Sequence, residues 1–423
     1  MWRQNVELLA YHDLDGRSGF KLAIQEQDGR FFLYVAALWH SGWSILDVTD
    51  PEKPKLLRWL DGPANTWTIQ VQVADALMIT ALEHVPPGWS AGGSDAAPED
   101  GFLIFDVGEP DNPKLLGHWE SGASGTHRNF YNGGRLVYAT TTLPGFEGHL
   151  LAIVDIGDPG SPRTVGRWWY PGQHVAGGEV YTPDDERRLR AGRPYPDAST
   201  PQHGLSLHGG AYVVGSRAYC PWMRGGLVIL DVSDERDPRH VATLPVHPPL
   251  GSTIAVHSAV PLAGRDVVVI NSEALRERCD EPAGFAATVD VRDEHDPILM
   301  ALFPPPRPPR GYDAPSFCDK GGRFGPHNQH QQQGLPCLAP NDRYVYLTYF
   351  NAGLQIYDVT DPRDPHIVGY FIGDDPLQRR GPLPTTLVHQ AEDVIVDRRG
   401  VIYMSEKNSG IHILAFEAPN EAG

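Results

Sequence analysis

One phrase returns along this chain, and it limits the possible folds more than any other feature. GWSILDVTDPEKPKLLRWLDG at 42–62 comes back as GFLIFDVGEPDNPKLLGHWESG at 101–122. Four further copies follow: HLLAIVDIGDPGSPRTVGRWW, GGLVILDVSDERDPRHVATLP, AATVDVRDEHDPILMALFP and AGLQIYDVTDPRDPHIVGYF. A decayed seventh, SGIHILAFEAP, closes the series, with Phe416 where the others place Asp47, Asp106, Asp155, Asp231, Asp290 and Asp358. A period this long belongs to one supersecondary unit repeated with variable loops.

Each copy has the same internal order. A short strand and an apolar strand such as RLVYATT precede the LVILDV strand, a D-P-x-x-P turn follows, and a last strand such as PKLLGHW ends the unit. Proline presets φ in the turn, and aspartate can accept from its own backbone two residues on. Helical periodicity is nearly absent, DDERRLRAG at 184–192 being the one stretch that reads as a helical turn or two. Four short strands repeated seven times predict an all-β fold, a seven-bladed β-propeller with four-stranded blades, over a single domain of residues 1–423. The first residues, NVELLAYHDLDG, match the last strand of a unit, so the N-terminal strand is expected to close the last blade and leave no open edge.

The phrases LVILDVSD, AIVDIGDP and QIYDVTDP resemble the LVIVD-repeat family of propellers, and the resemblance runs through nearly the whole chain. It implies the fold but no activity, because propellers carry many unrelated functions.

The first strand of each blade lines the central channel, which makes its opening residues candidates for chemistry. Counted nine places before the second strand, that slot holds His127 in blade three, His203 in blade four and His257 in blade five. His389 takes it in blade seven and His327 stands at the matching place in blade six, while blades one and two carry about Ala23 and Trp67. Five imidazoles aimed at one region predict a site in which His203, His257, His327 and His389 bind a divalent transition metal. Iron is the first expectation, with manganese, copper or zinc as alternatives. All five, His127 included, are candidate catalytic residues, those not on the ion acting as acid or base. Because two residues five apart on a strand point to opposite faces, His208 reads as a packed core residue beside His203. Glu83, Glu273, Glu406 and Glu392 are the candidate carboxylates that orient the imidazoles. Trp67, Trp89, Tyr219, Trp222, Arg224 and Phe324 are the candidate substrate contacts, and long loops at about 172–202 and 305–334 are expected to cover the same mouth.

A histidine-lined propeller is similar in architecture to the carotenoid cleavage oxygenases and to the selenium-binding protein/methanethiol oxidase group. That likeness implies a metal-dependent oxidoreductase or oxygenase acting on a small aromatic or unsaturated molecule. A metal-assisted lyase or hydratase is the alternative enzyme, and a binding scaffold the alternative without chemistry. A net charge of −18, with 53 acidic against 35 basic side chains, argues against nucleic acid and anionic membranes as partners. A small-molecule substrate and, at most, a homo-oligomer are the expected partners. No secretory signal is visible, and the four dispersed cysteines read as free thiols, so the expected location is the cytoplasm.

Overall fold

The computed structural model describes the chain except for residues 87, 90–95, 181–204, 247–249, 251–253 and 420–423. Seven four-stranded antiparallel sheets stand in a ring, with one two-stranded ribbon, Thr66–Trp67 against Glu83–His84, beside the second of them. The all-β propeller expected from the repeat is therefore the fold. The stretch at 184–192 lies outside the described residues, and the one α-helix among those described is Phe317–Lys320.

The repeated aspartates explain why the copies look alike. Each ends the third strand of its blade and accepts the backbone N–H two residues on: Asp47 from Thr49 at 3.0 Å, Asp106 from Gly108 at 2.8 Å, Asp155 from Gly157 at 2.9 Å. Asp231, Asp290 and Asp358 do the same with Ser233, Arg292 and Thr360. The side chain thus takes the place of a ladder partner as the strand turns away. A glycine opens the third strand for an equally local reason. Gly101 has φ +87°, and a Cβ there would lie 1.8 Å from the carbonyl oxygen of Trp119 on the neighbouring strand, so no larger residue fits.

Apolar residues of neighbouring blades bury one another's faces. Tyr138 and Leu151 of blade three pack with Ala218, Val228 and Leu230 of blade four in one cluster. Leu22 and Leu46 of blade one do so with Tyr403 and Ile413 of blade seven. At about 1.5–3 kcal/mol for each fully buried large aliphatic side chain, this stacking holds the ring. Closure works as expected, since Val6–His12 pairs with Gly410–Phe416 in the last blade. The structure adds a second clasp: Trp2–Gln4 pairs with His366–Ile372 of blade six, so the N-terminal segment spans two blades.

The cysteines depart from expectation. Cys279 and Cys318 form a disulfide across 39 residues, and only Cys220 and Cys337 remain as buried thiols. Their sequence spacing carries no signal for the pairing, because the propeller loops bring them together. Cysteine usage therefore gives no ground for a reducing compartment.

Candidate functional site

Regular strands alternate their side chains, so a cluster at the channel mouth needs strands that break the alternation. Three inner strands do. Register shifts occur between Thr126 and Arg128, between Ile254 and Ser258, and between Ala391 and Val394. Extra residues in a ladder bend the strand and re-aim side chains, and such irregularities concentrate at sites. Here they carry His127, Arg128, His257, Glu392 and Asp393, all buried.

Glu273, which ends the second strand of blade five, is the centre of the group. Its Oε2 lies 3.2 Å from His208 Nε2 and 3.5 Å from His257 Nε2, while its Oε1 is 3.6 Å from His327 Nε2. Arg323 closes on Oε1 at 2.9 Å. The far nitrogens are held as well: His257 Nδ1 meets Ser258 Oγ at 2.7 Å, and His327 Nδ1 meets Glu392 at 3.1 Å. His257 Nε2 is buried without a hydrogen-bond partner. Ligand atoms of His208, His257 and Glu273 all fall within 4.8 Å of one another. A second carboxylate, Glu83, pairs with His127 Nδ1 at 2.6 Å and His149 Nε2 at 2.9 Å. The rings of His149, His127, His208, His257 and His327 follow one another at centroid separations of 5.5, 4.5, 5.0 and 4.8 Å.

Burial and charge set the protonation states. Burial pushes His257 well below its usual value against the pull of Glu273, and takes His127 down to about 3. Burial also lowers His208, although Glu273 opposes it. For Glu273 burial works upward, but His327, His208, His257 and Arg323 together hold the carboxyl well below the usual range. Neutral imidazole beside an ionised carboxylate is the state a metal ligand set needs. Beneath the cluster Lys407 lies 2.8 Å from Glu392, and Lys21 lies 2.8 Å from Asp393.

His127, His149, His208, His327, Glu83 and Glu273 border a cavity of about 310 Å³, with Arg128 and Arg323 as its charged neighbours and Phe20, Leu38, Trp67, Ile69, Trp89, Met223 and Ile254 among its apolar walls. Trp67 and Trp89 meet edge to face at 5.4 Å. Trp89 also covers Arg323 and Lys407, whose charged groups sit 5.5 and 5.3 Å from its ring.

Of the expected site residues, His127, His257, His327, Glu83, Glu273, Glu392, Trp67 and Trp89 come together here. Others do not. His203 lies outside the described residues, and His208, assigned to the core, occupies blade four's place in the cluster. The count to His203 starts from AYVVGS at 211–216 taken as a second strand, whereas Tyr212–Val214 is the inner strand of that blade. His389 is turned away: its ring packs on His412 at 5.9 Å and against Gly373 at the seam between blades six and seven. Glu406 clamps a turn instead of a histidine, accepting from the amides of Gln390 and Asn408 at 2.8 and 2.5 Å. Trp222 is wholly buried against Trp168 and Tyr170, Tyr219 packs on the outer core, and Phe324 stacks on Phe317. Met223 borders the cavity where Arg224 was expected. His149, Lys21 and Arg323 were missed. Lys21 stands nine places before the second strand of blade one, His149 stands directly before the strand LLAIVD, and Arg323 carried no local signal. His330 is structural, its Nε2 bonded to the Ala339 carbonyl at 2.9 Å.

The LVIVD-repeat profile matches residues 145–168, which is the third copy of the phrase. No curated relative matches the chain by sequence. Among solved structures, a hypothetical selenium-binding protein from Sulfolobus tokodaii aligns with a TM-score of 0.53 and 12% identity, covering 91% of this chain and 90% of that one. The N-terminal domain of Nup159 aligns at 0.50 and 10% identity over 97% and 95%. A streptogramin B lyase aligns at 0.48 and 9% identity over 98% of both chains. At these identities the likeness is one of fold.

Proposed function

We propose that the protein is a metal-dependent oxidoreductase that acts with dioxygen on a small aromatic or unsaturated substrate. One observation carries the reading: three imidazole Nε2 atoms surround a single buried carboxylate, at 3.2, 3.5 and 3.6 Å. Two nitrogens and an oxygen from His208, His257 and Glu273, with His327 beside them, form a donor set that suits Fe(II) and leaves positions open. The Nε2 of His257, without a hydrogen-bond partner, stands 3.5 Å from the Glu273 carboxylate, which gives it a place on such an ion. When bound, such an ion supplies Lewis acidity and one-electron redox chemistry.

The chain's own residues do the rest. Ser258 holds the tilt of the His257 ring, and the Glu392 carboxylate holds His327 with its Nδ1–H toward it. Arg323 holds the Glu273 carboxylate in place. The walls of Trp67, Trp89, Phe20 and Leu38 exclude water and seat a flat apolar body. His127, oriented by Glu83 through Nδ1, keeps a neutral ring whose Nε2 is left to accept a hydrogen bond from the substrate.

Elemental analysis of the purified protein, followed by oxygen-electrode measurements, tests the reading. Iron near one equivalent with oxygen uptake supports it. Zinc or manganese with turnover under nitrogen points to the lyase instead. A protein that takes up no ion, and whose His257→Ala variant matches the parent, is a binding scaffold.

A further inference from the structure

The cavity contains a charge that the ion site does not use. Arg128 follows His127 on the inner strand of blade three, and the register shift between Thr126 and Arg128 lets both neighbours border the cavity. The side chain is 3% exposed, its guanidinium sits 4.9 Å over the ring of Phe20, and its Nε and Nη1 have no hydrogen-bond partner. Leaving a buried guanidinium with idle donors is costly, so native structures seldom do it without a purpose.

Four carboxylates act on Arg128 through space, Glu273, Asp393, Glu83 and Glu392, yet each is engaged elsewhere. Glu273 is taken by Arg323, Glu83 by His127 and His149, Glu392 by Lys407, and Asp393 by Lys21. These four acids face four bases (Lys21, Arg128, Arg323 and Lys407), so the fixed charges balance. A divalent ion would then leave the site net positive, and an anionic ligand would restore neutrality.

We infer that Arg128 anchors the carboxylate of the substrate, an aromatic monocarboxylate whose ring lies against Phe20, Trp67 and Trp89. The inference rests on the reading that this cavity takes the substrate beside an ion. Guanidinium offers two parallel N–H donors to a carboxylate, which gives orientation as well as affinity. A cavity of about 310 Å³ suits a single small ring with its acid group.

Benzoate and its neutral isostere benzamide are the probes, titrated by tryptophan fluorescence into ion-loaded and chelator-stripped protein. The parent should prefer benzoate by about tenfold or more, as expected when a charged hydrogen bond is gained. Arg128→Met should abolish that preference while leaving benzamide binding and metal content unchanged, and Arg128→Lys should recover part of it. Should Arg128→Met not fold, Arg128→Lys decides alone, by a reduced benzoate preference at parental melting temperature. Equal binding of the two probes by the parent, or an unchanged preference in both variants, overturns the inference. So does a preference that vanishes when the ion is stripped, since the ion would then be the anchor. Absence of any ion in the parent sinks the oxidoreductase reading alone, because the preference is also read in stripped protein.

Discussion

Two groups of buried histidines share this ring, and their difference separates a site from packing. At the channel mouth His208, His257 and His327 surround Glu273, and His127 and His149 share Glu83. At the seam of blades six and seven, His389 and His412 touch only each other and their neighbours. Both nitrogens of His389 and Nδ1 of His412 lack hydrogen-bond partners, and no carboxylate oxygen stands within ion-pair distance of either ring among the described residues. Burial depresses both rings. A depressed histidine is thus common to both places. What distinguishes the mouth is a convergent anion together with fixed second nitrogens, which is the arrangement that gives an ion somewhere to sit.

The sharpest way to break this contrast is to remove one ring from each group. His257→Ala should lower metal affinity by more than the about 100-fold that loss of an outer partner costs. His389→Ala should leave metal content at the parental value and cost about 1–3 kcal/mol of stability through the space it vacates. Elemental analysis and thermal melts read the pair, and loss of metal from His389→Ala would erase the distinction. Next in size, Glu273→Gln keeps the shape but removes the charge that three imidazoles and Arg323 face. As Glu273 is itself a proposed ligand, this should weaken metal binding by about 100-fold or more, measured by chelator competition.

A smaller effect concerns pH, to which histidines outside the mouth contribute. His330 accepts the Val396 amide at Nδ1 and so donates from Nε2 to Ala339, which fixes a neutral ring; burial takes it down to about 4. His412 is likewise pushed to about 4 by burial. An unfolded chain binds these protons near pH 6.5, whereas the native chain refuses them until about 4, so stability falls as pH drops through that window. His330→Asn should flatten the slope by up to about 1.4 kcal/mol per pH unit, followed by denaturant titration of the ion-free protein. The smallest change expected is at the rim of the ring. Asp106→Ala removes one turn hydrogen bond, should cost about 1 kcal/mol, and should disturb neither group of histidines.

Much of the site was within reach of a nine-residue count, and its errors are instructive. Nine places before the second strands at Leu136 and Arg217 stand His127 and His208. The same count from Arg30 and Val401 reaches Lys21 and Glu392, both buried in the network under the cluster. The count reached His203 because AYVVGS, apolar and short, reads equally well as a first or a second strand. His389 was placed by residue type, whereas the slot in that blade belongs to a carboxylate. No count could reach His149 or Arg323, which arrive from a third strand's start and from a long loop.

Repetition along the chain was enough to determine the ring, its seven sectors, its aspartate turns and the strand that seals it. These follow from local hydrogen bonding and from apolar strands that need neighbours on both faces. Which side chains share Glu273 was decided only in three dimensions. Strand alternation fixes a side chain's direction only while the ladder stays in register, and the ladders slip at His127, at His257 and at Glu392. Past each slip, orientation depends on the partner strand and on the blade next door.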